Sequence, residues 1–138
     1  VGMFQREVAQ RLAARPGSRI YGHISVVAQA FFETEYLFGL PPGHFNPPPA
    51  VHSAVIRLRR RPELRLPCSE KEFFELVKRA FGQRRKTLRK SLGPAAARCG
   101  APCEALLEAA GVDPSARAET IAPEGFFALA RAWREAKG

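Results

Sequence analysis

The chain has 138 residues, 46% of them hydrophobic, which fits one globular domain or two small domains that share a core. It carries 22 basic and 13 acidic residues, and the net charge of +9 favours a polyanionic partner, nucleic acid before membrane. The sequence contains no apolar run of about 18 residues, which excludes a transmembrane helix. It also shows no signal peptide.

The first part of the chain has the pattern of an α/β fold. Residues 1–5 are expected to end a buried strand, and residues 6–14 carry apolar side chains at helical spacing. A second helix is predicted over residues 24–31. Residues 32–40 then alternate with a period of two, which predicts a strand with one buried face. The side chains expected on that face are Phe32, Thr34, Tyr36, Phe38 and Leu40.

A proline-rich loop follows this strand. Three successive prolines restrict φ and remove three backbone donors, so they predict a stiff, extended polyproline segment. These are Pro47, Pro48 and Pro49. Such a loop could present Phe45 to a partner at low entropic cost, although the pattern alone favours a phenylalanine packed in the core under the loop, since most phenylalanines are buried.

A second strand is predicted after the loop, because Ala54, Ile56 and Leu58 alternate with more polar positions. Two strands joined by a short loop are most simply antiparallel. The pair is expected to form the final edge of a larger, mostly parallel sheet. Since two strands are not stable alone, residues 1–62 are interpreted as the last part of a domain whose first part lies before Val1.

Residues 63–138 predict helices only. Ser69 and Glu72 have capping-box spacing and open a helix. If the helix continues past Gly82, Leu88 and Leu92 extend its apolar face, and Gly93 and Pro94 end it. A short helix over residues 102–110, one turn over 115–120 and a last helix from Pro123 complete the prediction. The apolar side chains assigned to the first of these helices are Phe74, Val77, Phe81, Leu88 and Leu92.

Two clusters of cations mark candidate RNA-binding surfaces. The first cluster lies in a stretch, residues 76–103, that contains no acidic residue. Its positive charges therefore repel one another unless a polyanion covers them. It consists of Lys78, Arg79, Arg84, Arg85, Lys86, Arg89 and Lys90. The absence of interleaved aromatic residues favours contacts to the backbone of a folded duplex over base stacking. A solvated surface is the alternative.

The second cluster ends the strand after the proline loop. It consists of Arg57, Arg59, Arg60 and Arg61. These arginines either protect a strand edge or contact phosphates, and their closeness to Phe45 in sequence suggests that the two features lie side by side.

Metal or nucleophilic chemistry is not indicated. Cys68, Cys99 and Cys103 are odd in number, and no histidine stands at metal-ligand spacing from the last two, so free thiols in a reducing cytoplasm are expected. The three histidines form no dyad with a carboxylate or thiol, and Asp113 is the single aspartate. No catalytic residue, cofactor site or metal site is assigned within these residues.

Several motifs together resemble the rRNA adenine dimethyltransferase family, in particular its bacterial small-subunit members. The matching segments are Phe45-x-Pro47-Pro48-Pro49-x-Val51-x-Ser53-Ala54-Val55-x-Arg57-Leu58, residues 4–9, Tyr21 to Gln29, residues 81–92, Val112-Asp113-Pro114 and Arg117-Ala118-Glu119. They cover nearly the whole chain in order.

The resemblance implies a fold, an activity and roles for residues. It implies the C-terminal part of a Rossmann-like methyltransferase domain (1–62) followed by a small all-helical rRNA-binding domain (63–138). The activity would be S-adenosylmethionine-dependent N6,N6-dimethylation of two adjacent adenines in the small ribosomal subunit, by a cytoplasmic monomer. Phe45 would pack on the flipped target adenine, and both arginine-rich clusters would bind rRNA.

The cofactor and catalytic motifs of that family are expected before Val1, so the chain alone is expected to be inactive. The alternatives are a non-catalytic rRNA-binding or ribosome-assembly module, and a macrolide-resistance 23S rRNA adenine methyltransferase.

Overall fold

The computed structural model describes residues 1–47, 49–61, 69–83 and 85–137, and for Lys137 the backbone only. The domain boundary predicted at residue 62 falls outside this part of the chain, as do Pro48, Cys68 and Arg84. The strands are β1 (Gly2–Gln5), β2 (Phe32–Leu40) and β3 (Ser53–Arg60). The helices are α1 (Arg6–Leu12), α2 (His23–Phe31), α3 (Glu70–Phe81), α4 (Leu88–Ser91), α5 (Gly93–Arg98), α6 (Cys103–Ala109) and α7 (Pro123–Lys137).

The three strands form one sheet in the order β1-β3-β2. β3 is antiparallel to both neighbours, as predicted for β2 and β3, so β1 and β2 run parallel to each other on either side of it. Gln5 and Leu40 both face Ser53, the first residue of β3. The carboxyl ends of the two parallel strands therefore lie at the same edge of the sheet.

A bulge between Tyr36 and Phe38 corrects the predicted alternation of β2. Phe32 and Thr34 are half-buried as expected, but the phase reverses beyond the bulge, where Leu37 is half-buried and Phe38 is 52% exposed. A bulge adds one residue to a strand and so shifts the alternation beside it, while Leu40 at the end of β2 is half-buried as expected.

The helical part differs from the prediction where glycine and proline occur. Ser69 caps the start of α3 as predicted, because its hydroxyl accepts a hydrogen bond from the Glu72 backbone N–H (3.2 Å), but the helix ends at Phe81 with Gly82 as its C-terminal cap. Gly93 and Pro94 begin α5 rather than ending a helix, since proline suits the first turn. α6 ends near Gly111, which has the predicted left-handed φ of 72°. None of the described helices has the length and apolar character of a membrane span.

Two clusters of buried side chains hold the fold together. The smaller one joins α1 to the sheet through Ala9, Ala54 and Ile56. The larger one centres on Phe73, not Phe74, because Phe73 is fully buried whereas Phe74 is 38% exposed. It also includes Val26 and residues of α7, so the main core includes residues on both sides of position 62.

The start of α7 lies so close to the preceding turn that Gly125 leaves no room for a side chain. A Cβ atom built there would lie 2.6 Å from Cγ2 of Ile121. Alanine normally stabilises a helix by about 0.5–1 kcal/mol over glycine, whereas overpacking costs about 1–3 kcal/mol. We therefore expect Gly125→Ala to lower the free energy of unfolding by about 1–2 kcal/mol, measured by urea denaturation. Gly93→Ala, where nothing lies within 4 Å, should cause no loss; equal effects would contradict the argument.

Candidate nucleic-acid interface

Phe45 lies in the loop that leaves the carboxyl end of β2. A 3₁₀ turn over Pro42–His44 begins the loop, and the Phe45 N–H donates to the Pro42 carbonyl (3.1 Å). At the other end of the loop, the Arg6 N–H donates to the His52 carbonyl (2.9 Å), which ties the loop to the start of α1. The sheet therefore places Phe45 just beyond the edge at which both β1 and β2 end.

The loop is less regular than the predicted polyproline segment. Phe45, Asn46 and Pro47 lie at bends, and the Asn46–Pro47 peptide bond is cis. Phe45 itself has an extended backbone and a half-buried side chain, while Pro47 and Pro49 are exposed. The Phe45 ring is thus partly open to solvent, which leaves it available for contact with a planar ligand.

The second arginine cluster lies away from Phe45, which corrects the expectation that the two are adjacent. Arg60 pairs with Phe32 at the far end of β3, so it lies roughly 20 Å from the loop along the strand. The Arg57 guanidinium lies 3.3 Å from the Glu35 carboxylate. Phe45 and these arginines are close in sequence but not in space, because an extended strand is about 3.3 Å long per residue.

Arg61 has a structural contact. Its Nε donates to the Gln29 carbonyl (2.9 Å) and its backbone N–H to the Phe31 carbonyl (3.0 Å). A cation at the carboxyl end of a helix satisfies free carbonyls and complements the helix dipole. Arg61 therefore caps α2, whereas Arg59 and Arg60 are exposed.

The first cation cluster surrounds the turn between α3 and α4. Because α3 ends at Phe81, the cations do not lie along one continuous helix. The Lys86 N–H donates to the Gln83 carbonyl (2.9 Å), which closes a turn instead. The described cations of the cluster, Lys78, Arg79, Arg85, Lys86, Arg89 and Lys90, are all exposed. Arg89 also pairs with Glu104 at 3.0 Å.

The Val112-Asp113-Pro114 motif supports this turn. The Leu88 N–H donates to the Ala116 carbonyl (2.8 Å), and the Arg89 N–H to the Pro114 carbonyl (3.3 Å). Asp113 accepts hydrogen bonds from the backbone N–H and the hydroxyl of Ser115, which lower the pKa of its carboxyl. The motif thus holds the start of α4 and its cations in place.

The Tyr21 to Gln29 motif also proves structural. The Tyr21 hydroxyl donates to the Ile121 carbonyl (2.6 Å), and burial raises its pKa well above the usual value. The Gln29 amide donates to the carbonyls of Leu12 (3.1 Å), the last residue of α1, and of Ala14 (2.7 Å), just after α1. Sequence reasoning missed these contacts because they join residues far apart in the chain.

Solved structures define the class of fold. The chain is similar to a dimethyladenosine transferase from Plasmodium falciparum, with a TM-score of 0.77 and 20% identity over 92% of this chain and 54% of that one. It is also similar to the 23S rRNA methyltransferase ErmE, with a TM-score of 0.59 and 25% identity over 96% of this chain and 53% of that one. The chain therefore has the fold of one part of these methyltransferases, since it covers about half of each structure.

Sequence relatives narrow the class to a family. A family model for ribosomal RNA adenine dimethylase matches residues 1–134. Proteins named ribosomal RNA small subunit methyltransferase A are similar: that of Rhodospirillum rubrum is 49% identical over 94% of this chain and 43% of its own length, and that of Maricaulis maris is 46% identical over 97% and 46%. The chain belongs to the ribosomal RNA adenine dimethylase family, and it spans less than half the length of these relatives.

Proposed function

We propose that this chain is the C-terminal part of a small-subunit rRNA adenine N6,N6-dimethyltransferase that acts during ribosome biogenesis. In this proposal, residues 1–62 complete a Rossmann-like domain and residues 63–138 form a helical rRNA-binding domain. The enzyme works in the cytoplasm as a monomer, and its partner is the 30S subunit. Membership of the family supports the activity, and the similarly named bacterial relatives support the small-subunit rRNA as the substrate.

The observation that carries the proposal is the position of Phe45. Its partly exposed ring follows the carboxyl end of β2, at the edge where β1 also ends. The N6 amino group of a paired adenine is buried in the helix stack, so the base must be extruded before it can be modified. An aromatic ring at this edge would stack on the extruded adenine and hold it in one orientation, which lowers the entropic cost of reaching the transition state.

S-adenosylmethionine is the expected methyl donor. Two cavities among the described residues are lined by residues of α1, α2, α3, α5 and α7 and of the segments that precede α2 and follow α5, and neither includes a residue of the 41–52 loop. No cofactor ligand is proposed within this chain. Its own contribution is to orient the adenine through Phe45 and to hold the rRNA through exposed cations.

A chimaeric enzyme tests the proposal. In it, residues 1–138 replace the matching segment of the Rhodospirillum rubrum relative. The chimaera would be incubated with unmethylated small subunits and labelled methyl donor. We expect dimethylation of adjacent adenines in the small-subunit rRNA. Binding of the subunit without methylation, with the parent enzyme active in parallel, would instead favour a non-catalytic assembly module. Labelling of 23S rRNA alone would favour the macrolide-resistance activity.

A further inference from the structure

A groove between α3, α5 and α7 has the size and lining of a site for one nucleobase. Its volume is about 220 Å³, below the range of about 300–1,000 Å³ that is typical of pockets for drug-sized ligands, so it suits a single ring system. Its apolar wall is formed by Leu76, Ala130 and Trp133, each less than 10% exposed. A planar apolar ring could bury its face against this wall.

The rim of the groove supplies charges of both signs. Arg79 and Arg98 are exposed there and can reach a phosphate. The Glu72 carboxylate lies 3.6 Å from the Arg134 guanidinium, which fixes that carboxylate at one side. Glu75 is exposed on the wall formed by α3, one helical turn from Arg79. A carboxylate, a basic rim and an apolar wall thus converge on one cavity.

These features select a guanine among the four bases. A carboxylate offers two parallel acceptors, and only guanine presents two adjacent N–H donors, N1 and N2, on its Watson–Crick edge. Adenine, cytosine and uracil each place an acceptor beside their donor, which would face the carboxylate oxygen unfavourably. Unpaired bases of RNA are commonly recognised by this combination of stacking and edge hydrogen bonds.

Building on the proposed rRNA binding, we infer that this groove binds an unpaired guanine of the RNA partner. Glu75 accepts from N1 and N2, Leu76 and Trp133 pack on the base, and Arg79 and Arg98 contact its phosphates. The site lies on α3, whose last turn carries Lys78 and Arg79 toward the basic turn at residues 82–87. The groove therefore adds base recognition to a surface that otherwise contacts only the RNA backbone.

The single tryptophan of the chain provides the readout, because Trp133 lines the groove. Short oligouridines with one central guanine, adenine or cytosine would be titrated into the full chain while tryptophan emission is recorded. We expect the guanine oligomer to change the emission and to bind about tenfold more tightly than the others, since a good bidentate contact is worth about 1–3 kcal/mol of discrimination. Glu75→Gln should remove this preference, while Glu108→Gln on the exposed face of α6 should retain it.

Equal affinity for all oligomers, or an unchanged preference in Glu75→Gln, would overturn the inference. A tryptophan response to an acidic peptide but to none of the RNAs would overturn it as well. Failure of this site is distinguishable from failure of the proposed function: if the chimaera methylates small subunits while no oligomer affects Trp133, only the guanine site is wrong.

Discussion

Phe45→Ala in the chimaeric enzyme is expected to reduce kcat/KM for methylation by about 5- to 150-fold, because stacking of a base on an aromatic side chain is worth about 1–3 kcal/mol. Affinity for the small subunit should remain nearly unchanged, since the substitution removes no charge and leaves the exposed cations in place. Methylation would be followed with labelled methyl donor, and affinity by filter binding of the same subunits.

Two further substitutions separate stacking from folding. Phe38→Ala removes a phenylalanine that is 52% exposed on β2 close to the same edge of the sheet, and it should leave methylation intact. Phe45→Trp retains an aromatic face and should preserve most of the activity. Equal losses of methylation and subunit affinity in Phe45→Ala would exclude stacking on the target base as its role.

Local sequence signals predicted most of the elements. The helix in the region of α1 and the start of α7 at Pro123 were confirmed, because they depend on hydrophobic periodicity and on proline at a helix start. The antiparallel pairing of β2 with β3 was confirmed because strands that follow each other in the chain are usually neighbours in the sheet. The glycine cap at Gly111 was confirmed because glycine readily adopts the left-handed conformation that ends a helix. These features are decided within a few residues of chain.

The predicted element boundaries were wrong where a residue type is compatible with two local conformations. Gly82 is compatible with either a helix interior or a helix end and caps α3, and Pro94, predicted to stop a helix, lies in the first turn of α5. The bulge near Tyr36 leaves the composition of β2 unchanged, so nothing in its alternating pattern indicated it. In each case tertiary packing decided between two conformations that the local sequence permits.

The candidate site was predictable only in part. The resemblance to the family drew attention to Phe45, and the sheet explains its position through the shared edge of β1 and β2. The role of Arg61 as a cap for α2 was not predictable, since Gln29 and Phe31 lie about thirty residues earlier in the chain. The groove beside Trp133 likewise combines three helices that no local motif connects.

Removing two cations of the basic turn should weaken the salt dependence of rRNA binding. Arg85 and Lys86 are exposed in the turn that follows α3, and the Val112-Asp113-Pro114 segment holds the neighbouring α4 in place. Each phosphate contact in a duplex contributes about 0.9 to the slope of log affinity against log salt. The double variant Arg85→Ala/Lys86→Ala should therefore lower that slope by up to about 1.8 and bind the subunit more weakly at low salt.

A charge-matched control makes this result specific to the turn. Lys71 and Arg131 are exposed cations on the first turn of α3 and in the middle of α7, outside the predicted cluster. Lys71→Ala/Arg131→Ala removes the same net charge, so a purely long-range effect would weaken both variants equally. If direct phosphate contacts are made at Arg85 and Lys86, only their variant changes the slope, because counterions are released where phosphates are neutralised. The same slope in both variants and the parent would contradict the anchoring role of this turn.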